Sequence, residues 1–246
     1  MSIKRAIAAV PFLKRMLVPL YDRMRGLPPL DVGEIDEDTL RRAIDKPNPT
    51  ILEIGANDGM HTVWFRKIFP DATIHCFEPD ARAIQRFHER VGKDAPGIFL
   101  HQSAVGPING DVTFYPSDSC NTAERESLWD CSGSLKQPTG HLDVHPEIAF
   151  ADPITIPSVR LDDWRVKHGV GMIDFIWMDV QGAELDVFSS AASTLESTRY
   201  LYTEYVVEPL YKDQPTLTGL VAALPSFRIV KRYRNDILLK NRSLAQ

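Results

Sequence analysis

Three acidic residues close runs of apolar residues, and each could bind a ligand or take part in catalysis there. They are Glu78, Asp179 and Glu204. If the runs form parallel strands, the three carboxylates lie at the carboxyl edge of the sheet, where open α/β folds bind their ligands. A carboxylate in that crevice can accept hydrogen bonds, remove a proton or hold a cation. The sequence therefore predicts one polar ligand site served by several strands.

A glycine-containing turn precedes the first of these carboxylates. Residues 51–59 run from a short apolar segment into an amphipathic one, and Gly55 and Gly59 let the backbone turn sharply and approach a ligand. A dinucleotide-binding turn prefers three glycines in the pattern G-x-G-x-x-G. Here Asn57 and Met60 occupy the second and third glycine positions, which disfavours close approach by a pyrophosphate. The turn therefore favours a nucleoside ligand without a pyrophosphate.

A nucleoside that carries a sulfonium amino acid would present an ammonium and a carboxylate to this turn. Glu53 could act on the cationic end or position the loop, while Asn57, Thr62 and the loop N–H groups could serve the rest. Ser103 follows the third predicted strand, where it could flank an adenine or cap a turn. Both alternatives stay open for Glu53 and for Ser103.

Glu78 lies 23 residues after Gly55. At this spacing, an acidic residue accepts hydrogen bonds from both hydroxyls of an unphosphorylated ribose. A helix-capping role is also open, because acidic residues favour helix N-termini and Pro79 suits the first turn of a helix. The two roles are compatible.

Asp179 is predicted to lie near the reactive group of the ligand, with Glu204 beside it. Two neighbouring carboxylates suit a divalent cation, or a proton acceptor with an orienting partner. The structural alternative for Asp179 is the N-cap of a helix predicted over residues 183–195. Asp179 and Glu204 are therefore the predicted catalytic residues, and the predicted metal ligands if a metal is used.

The elements that must hold these residues alternate between apolar strands and amphipathic helices, which indicates a parallel sheet covered by helices. A short acidic helix ends near Asp45. The Asn-Gly pair at residues 109–110 predicts a hairpin turn before a strand over residues 112–115. The last two strands are predicted to pair as an antiparallel hairpin. The predicted strands are residues 50–54, 72–77, 98–101, 173–178, 200–206, 227–233 and 237–240, and the predicted helices are residues 60–69, 81–91 and 183–195.

Residues 116–152 form a long polar segment without a clear period. A loop of this length in a compact domain is usually functional or disordered. Ser132, Ser134, His141 and His145 could form part of a polar acceptor pocket. The two histidines have the i, i+4 spacing that binds metal on a helix. The residues between and after them favour irregular backbone, so solvated loop histidines are preferred over a base that contacts the substrate.

The composition narrows the functional class. The 246 residues suit one large α/β domain, and a net charge of −5 gives no reason to expect nucleic acid as a partner. Three scattered cysteines favour a reducing cytoplasm over a disulfide framework. No apolar run is long enough to span a bilayer.

The first 25 residues are basic, with apolar residues at helical spacing. We expect this helix to pack on the domain or on a second subunit of a homo-oligomer. The alternative is peripheral contact with an anionic membrane. Together with the acidic helix it makes an N-terminal extension over residues 1–46, followed by the ligand-binding domain over residues 47–246.

Taken together, motifs across residues 50–240 resemble those of the FkbM family of methyltransferases. The resemblance implies a Rossmann-like α/β class I methyltransferase fold, with a mostly parallel seven-stranded sheet that ends in an antiparallel hairpin. It also implies S-adenosylmethionine as methyl donor and O-methylation of a sugar or polyketide hydroxyl. The family commonly has Asp where this chain has Glu53, and Glu where it has Gln181. The matching motifs are Glu53-Ile54-Gly55-Ala56-Asn57-Asp58-Gly59, Phe77-Glu78-Pro79, Ala104-Val105-Gly106, Ser132-Gly133-Ser134 and Asp179-Val180-Gln181-Gly182-Ala183-Glu184.

We therefore predict an S-adenosylmethionine-dependent O-methyltransferase acting on a sugar or glycan, with metal dependence left open. A polyketide or another small natural product is the alternative acceptor, but the polar loop with its single tryptophan, Trp129, favours a carbohydrate. The alternatives from other classes are an NAD-dependent oxidoreductase and a non-catalytic scaffold. The residues predicted to bind the cofactor are Glu53, Gly55, Ala56, Asn57, Asp58, Gly59, Thr62, Glu78, Pro79, Ser103, Ala104 and Asp179.

Overall fold

A computed structural model describes residues 26–119, 130–206 and 208–244 of the chain. The basic helix predicted in residues 1–25, with its predicted membrane or subunit contact, lies outside the described residues, as does Trp129. Within the described ranges, no helix is both long enough and apolar enough to cross a membrane.

Helices and strands alternate through most of the chain, as the hydrophobic pattern predicts. The strands are β1 (Thr50–Ile54), β2 (Thr73–Phe77), β3 (Ile98–His101), β4 (Ala104–Val105), β5 (Gly110–Phe114), β6 (Ser117–Ser119), β7 (Ile148–Phe150), β8 (Ile154–Val159), β9 (Ile173–Met178), β10 (Thr198–Glu204), β11 (Phe227–Arg232) and β12 (Asp236–Asn241). The helices are α1 (Glu37–Ile44), α2 (Met60–Ile68), α3 (Ala81–Val91), α4 (His141–Val144), α5 (Leu161–Lys167), α6 (Glu184–Ser189), α7 (Ala192–Glu196) and α8 (Leu217–Ala223).

A seven-stranded sheet in the order β11-β12-β10-β9-β1-β2-β3 forms the centre of the fold. β3, β2, β1, β9 and β10 pair in parallel, whereas β12 runs antiparallel to both β10 and β11. The predicted parallel sheet with an antiparallel C-terminal hairpin is therefore confirmed. Ile54 at the end of β1 pairs with Phe77 on one side and with Met178 on the other. The carboxyl ends of three central strands thus lie side by side.

Two apolar layers, one on each face of the sheet, hold the strands in place. β9 is buried along its whole length, as expected for a central parallel strand that helices cover on both faces. On one face, Phe65 of α2 packs edge-on against Phe175, in a cluster that includes Leu40 and Ile44 of α1. On the other face, α5 contributes Trp164 to a second buried cluster. The predicted acidic helix is therefore confirmed and is part of the core.

The hairpin turn predicted at residues 109–110 is wrong. β4 and β5 both pair with β8 and lie on its two sides, so they are not adjacent strands. The side chain of Asn109 instead joins its loop to the start of α5: its Oδ1 accepts the N–H of Arg160, and its Nδ2 donates to Asp163.

The single helix predicted over residues 183–195 is also wrong, because α6 and α7 are separate short helices. Ser190 lies at the break, where its backbone oxygen and its Oγ accept the N–H groups of Asp162 and Leu161. These bonds satisfy free N–H groups at the start of α5. A pattern of apolar residues within one segment does not show such a contact with another helix.

Candidate active site

A cavity of about 410 Å³ opens at the carboxyl edge of the sheet, where β1, β2 and β9 end. The segment between β6 and α4 also contributes to its lining, through Asp130, Cys131, Gly133, Ser134 and Leu135 but not Ser132. Of the twelve residues predicted to bind a cofactor, nine line this first cavity. They are Gly55, Ala56, Asn57, Asp58, Glu78, Pro79, Ser103, Ala104 and Asp179.

Gly55 turns the chain at the end of β1 with a φ of +88°, in the left-handed region that favours glycine. The N–H groups of Gly55 and Ala56 both donate to the carbonyl oxygen of Phe77, at 3.0 Å each. A Cβ at Gly55 would lie 1.8 Å from the backbone oxygen of Asp179. Only glycine therefore lets the turn pass this close to the end of β9. Gly59, just before α2, packs against α3 and does not line the cavity.

Glu78 lines the cavity from the end of β2. Its Oε2 accepts the N–H of Asn57 and its Oε1 accepts the N–H of Asp80, at 2.8 Å each. The N-cap of α3 is Asp80, whose carboxylate accepts the N–H of Arg82, so Glu78 is not the cap. Burial raises the pKa of Glu78 to about 7. A carboxylate accepts up to about four hydrogen bonds, which leaves room for a pair of ligand hydroxyls.

Glu53 and Thr62 lie beneath the glycine turn and do not line the cavity. Both are fully buried. The Thr62 hydroxyl donates to Glu53 Oε2 at 2.5 Å, and the Cys76 thiol donates to the same oxygen at 3.6 Å. Of the two alternatives for Glu53, these contacts fit positioning of the loop and do not fit contact with a ligand.

Glu53→Gln is expected to flatten the pH dependence of folding stability. Burial raises the pKa of Glu53 to about 8, from an ordinary value of 4.5. Between those values the unfolded chain loses a proton that the folded protein keeps, so stability falls as pH rises, by up to about 1.4 kcal/mol per pH unit. Glutamine does not titrate, so the variant should lose the Glu53 contribution. The slope that remains comes from other buried carboxyl groups, such as Glu78, whose pKa is also raised.

Urea unfolding of wild type and Glu53→Gln at several pH values between about 5 and 8 would measure the slope. Glu196→Gln is the matched control, because Glu196 is exposed and should leave the slope unchanged. Equal slopes for wild type and Glu53→Gln would show that Glu53 is ionised in the folded protein.

Ser103 and Ala104 line the first cavity just after β3, where the N–H of Ser103 donates to the carbonyl oxygen of His101 at 2.8 Å. This tight turn carries the chain into β4. Val105 and Phe114 continue the wall with apolar surface. The combination of apolar surface with a few polar groups is typical of small-ligand sites.

Asp179 and Glu204 are bridged by Gln181, whose Nε2 donates to Asp179 Oδ1 at 2.5 Å and to Glu204 Oε2 at 3.3 Å. The Gln181 backbone adopts a φ of +51°, and its Oε1 accepts the hydroxyl of Tyr211 at 3.3 Å. Burial raises the pKa of Asp179, and the Asp179 carboxylate raises the pKa of Glu204. The pair therefore tends to retain one proton near neutral pH. Asp179 does not cap α6, whose N-cap is Ala183.

Among the described residues, no group of three or more His, Cys, Asp or Glu side chains is arranged to hold a metal ion. The N–H donor of Gln181 points at both Asp179 and Glu204. A donor in this position suits a carboxyl pair that shares a proton, whereas it would repel a cation placed between the two carboxylates.

A second cavity, of about 380 Å³, adjoins the first and shares Met60, His61 and Asp179 with it. It lies over the ends of β9 and β10 and the start of β12. Asp179 is the carboxylate common to both cavities. The other residues that line the second cavity are Glu34, Ile35, Trp64, Trp177, Met178, Tyr202, Glu204 and Asp236.

Of the two serines predicted to contact the acceptor, Ser134 lines a cavity and Ser132 does not. Ser134 lines the first cavity, and its hydroxyl donates to the backbone oxygen of Gln181 at 2.7 Å. Ser132 is buried, and its carbonyl oxygen accepts the hydroxyl of Tyr211 at 2.7 Å. These contacts fasten residues 130–135 over the sheet edge.

His141 and His145 line neither cavity. His141 is 3% exposed and its ring packs against Tyr211, so the prediction of a solvated loop histidine is wrong for it. The predicted irregular backbone is wrong as well, because residues 141–144 form one helical turn, α4. His145 lies beside Glu147 at the surface, as predicted for a loop histidine.

Asp130 lines the first cavity but was not predicted from the sequence. Its Oδ1 accepts the side-chain amide of Asn57 at 3.3 Å, and Arg86 of α3 donates to its Oδ2. These bonds tie the polar segment to the glycine turn. Arg86 is 44 positions from Asp130, so no local pattern reveals the pair.

A mostly parallel sheet of this order, with a glycine turn and an acidic residue at the ends of neighbouring strands, defines a class I S-adenosylmethionine-dependent methyltransferase. The family model of the methyltransferase FkbM domain matches residues 53–231. The chain therefore belongs to the FkbM methyltransferase family, as its motifs predict. It is an S-adenosylmethionine-dependent O-methyltransferase, which sets aside the oxidoreductase and scaffold alternatives.

Two curated relatives show the range of names in this family. The 2-O-methyltransferase NoeI of Sinorhizobium fredii is 41% identical over 205 residues, which cover 82% of this chain and 83% of the relative. The 31-O-demethyl-FK506 methyltransferase FkbM of Streptomyces tacrolimicus is 24% identical over 198 residues, which cover 75% of this chain and 74% of the relative. Among solved structures, a SAM-dependent methyltransferase from Aquifex aeolicus matches with a TM-score of 0.44 and 11% sequence identity. The match covers 84% of this chain and 88% of the chain of that structure.

Proposed function

We propose that the enzyme transfers the methyl group of S-adenosylmethionine to a hydroxyl group of a sugar or glycan. The observation that carries this proposal is the position of Asp179, the carboxylate common to both cavities. A methyl donor in the first cavity and an acceptor in the second would meet at this residue.

The residues around the first cavity fit the donor. Gly55 leaves open a space that any Cβ would fill. Glu78 would accept hydrogen bonds from the ribose hydroxyls, and Ser103 and Ala104 would flank the adenine. The amino acid part would be held by Asn57 and the N–H groups of the glycine turn. When bound, S-adenosylmethionine supplies a methyl group on a positively charged sulfur.

Asp179 would take the proton of the acceptor hydroxyl as its oxygen attacks the methyl carbon. The new O–C bond forms while the C–S bond breaks, and the electron pair of that bond stays on the sulfur. Gln181 holds the Asp179 carboxylate in place through its N–H group. Alignment of the oxygen with the methyl group would supply most of the rate, and proton removal a further factor of about 10²–10⁴.

A sugar is favoured over a polyketide as acceptor for two reasons. The second cavity has four acidic side chains that can accept hydrogen bonds from several hydroxyls, and these are Glu34, Asp179, Glu204 and Asp236. In addition, the relative named a 2-O-methyltransferase is 41% identical to this chain, whereas the relative named for an FK506 derivative is 24% identical.

The test is transfer of labelled methyl from S-adenosylmethionine to a panel of acceptors. The panel contains methyl glycosides, free oligosaccharides, lipid-linked glycans, nucleotide sugars and a macrolide with free hydroxyls. Each assay is run with and without a chelator. We expect label in a sugar ether and no loss of rate with the chelator. Transfer to the macrolide and to no sugar would overturn the proposed acceptor class.

A further inference from the structure

The second cavity has an aromatic wall. The ring centroids of His61 and Trp177 are 4.2 Å apart, and those of Trp177 and Tyr202 are 4.5 Å apart. Trp64 lies edge-on to Trp177, with centroids 6.3 Å apart. The faces of such rings are apolar and carry partial negative charge. They therefore suit the C–H face of a pyranose ring, whose hydrogens carry partial positive charge.

The remainder of the cavity is acidic. Glu34, Asp179, Glu204 and Asp236 line it, and the lining residues that the structure describes include no lysine or arginine. Burial lowers the pKa of His61, so its imidazole adds no positive charge near neutral pH. The Asp179–Glu204 pair retains one proton near neutral pH, and burial raises the pKa of Asp236 to about 7. An anionic group in this cavity would still meet the negative charge of the pair and no cation from the described lining residues, which is unfavourable where water is excluded.

The hairpin at the end of the chain brings two of these carboxylates together. β12 begins at Asp236, and the antiparallel register pairs Asp236 with Glu204 at the end of β10. Tyr202 and Asp236 both line this part of the cavity. Two carboxyl groups beside an aromatic face can accept hydrogen bonds from neighbouring hydroxyls of one ring.

We propose that the second cavity binds one uncharged pyranose ring of the acceptor against its aromatic wall, where His61 and Trp64 are the partly exposed rings. The hydroxyls of the ring would donate to Asp236 and Glu204. The acidic lining excludes sugars that carry a carboxylate, sulfate or phosphate on that ring. This inference rests on the proposed function, to which it adds the place of the acceptor and its charge class.

The test compares neutral methyl glycosides of common hexoses with the matching 6-carboxylates, the uronates. Binding is followed by tryptophan fluorescence in the presence of S-adenosylhomocysteine, because Trp64 and Trp177 lie in the cavity wall. Turnover of the same glycosides gives KM and kcat. We expect the neutral glycoside to bind at least about tenfold more tightly than its uronate, since each unpaired charge is costly to desolvate.

Asp236→Asn combined with Glu34→Gln should narrow the preference for the neutral glycoside over the uronate. Burial raises the pKa of Asp236 to about 7, so the assay is run at about pH 8, where this carboxyl group is mostly ionised. Asp236→Asn alone should then raise KM for the neutral glycoside by about tenfold, since a charged hydrogen-bond acceptor becomes a neutral one. Affinity for S-adenosylhomocysteine should stay unchanged in both variants. Asp111→Asn is the control, because Asp111 is an exposed carboxylate that lines neither cavity.

Two results would overturn the inference while leaving sugar methylation in place. One is a uronate that binds as tightly as its neutral partner. The other is an Asp236→Asn variant with wild-type KM and wild-type preference. A wild-type enzyme that methylates a macrolide but no sugar would instead overturn the proposed function, and this inference with it.

Discussion

Asp179→Asn is expected to lower kcat by about 10²–10⁴-fold, the usual contribution of a positioned proton acceptor. Asparagine has nearly the same shape and keeps an oxygen that can accept the Gln181 N–H. It cannot take a proton from the acceptor hydroxyl. Affinity for S-adenosylhomocysteine, measured by calorimetry, should change by less than about tenfold, because at most one hydrogen bond is altered.

Glu204→Gln is the matched variant. The carboxylate of Asp179 raises the pKa of Glu204, so Glu204 holds a proton near neutral pH and resembles a neutral glutamine. We therefore expect kcat to fall by less than about tenfold, the effect of one changed hydrogen bond. A fall as large as that of Asp179→Asn would assign the proton acceptor role to Glu204. Unchanged turnover in Asp179→Asn would remove the catalytic assignment but not the family.

Gly55→Ala is expected to weaken the binding of S-adenosylhomocysteine by about a hundredfold. The new Cβ would lie 1.8 Å from the backbone oxygen of Asp179, so the glycine turn and the end of β9 must separate. A displacement of about 1 Å in a site costs about a hundredfold in rate. The left-handed backbone adds about 1–3 kcal/mol of destabilisation. Calorimetry and urea unfolding would measure the two effects.

Gly169→Ala is the control that separates the two effects of Gly55→Ala, the clash of the new Cβ and the strain of a left-handed backbone. Gly169 also has a positive φ, +62°, but a Cβ at this position would point into open space, with no atom beyond its chain neighbours within 4 Å. This variant should lose stability and keep its affinity for S-adenosylhomocysteine. Equal losses of affinity in both variants would show that the close approach of Gly55 to Asp179 is not what shapes the first cavity.

Most residues at the strand ends that line the first cavity are predictable from sequence, because they belong to local motifs. Gly55, Ala56, Asn57 and Asp58 belong to one turn, and strand-end positions identify Glu78 and Asp179. Glu53 shows the limit of such reasoning. It lies in a strand that is buried on both faces, where no alternation of polar and apolar residues tells which face a side chain takes. The structure turns it away from the cavity, towards Thr62 and Cys76.

The polar segment could not be positioned from sequence, because its contacts are distant in the chain. Ser132 binds Tyr211 across 79 positions, and this contact, with the ring of His141 on Tyr211, decides which side chains are buried. Asp236 was missed for a similar reason. The sequence predicts a last strand over residues 237–240 that pairs with the strand before it, but not the pairing of β12 with β10, which sets Asp236 opposite Glu204.

The two cavities share three residues, Met60, His61 and Asp179. Tyr202, Glu204 and Asp236 line the second cavity only, and they lie on β10 and β12, which contribute nothing to the described lining of the first. If the donor occupies the first cavity and the acceptor the second, substitutions at these three positions would change the molecule that is methylated with little effect on the methyl donor.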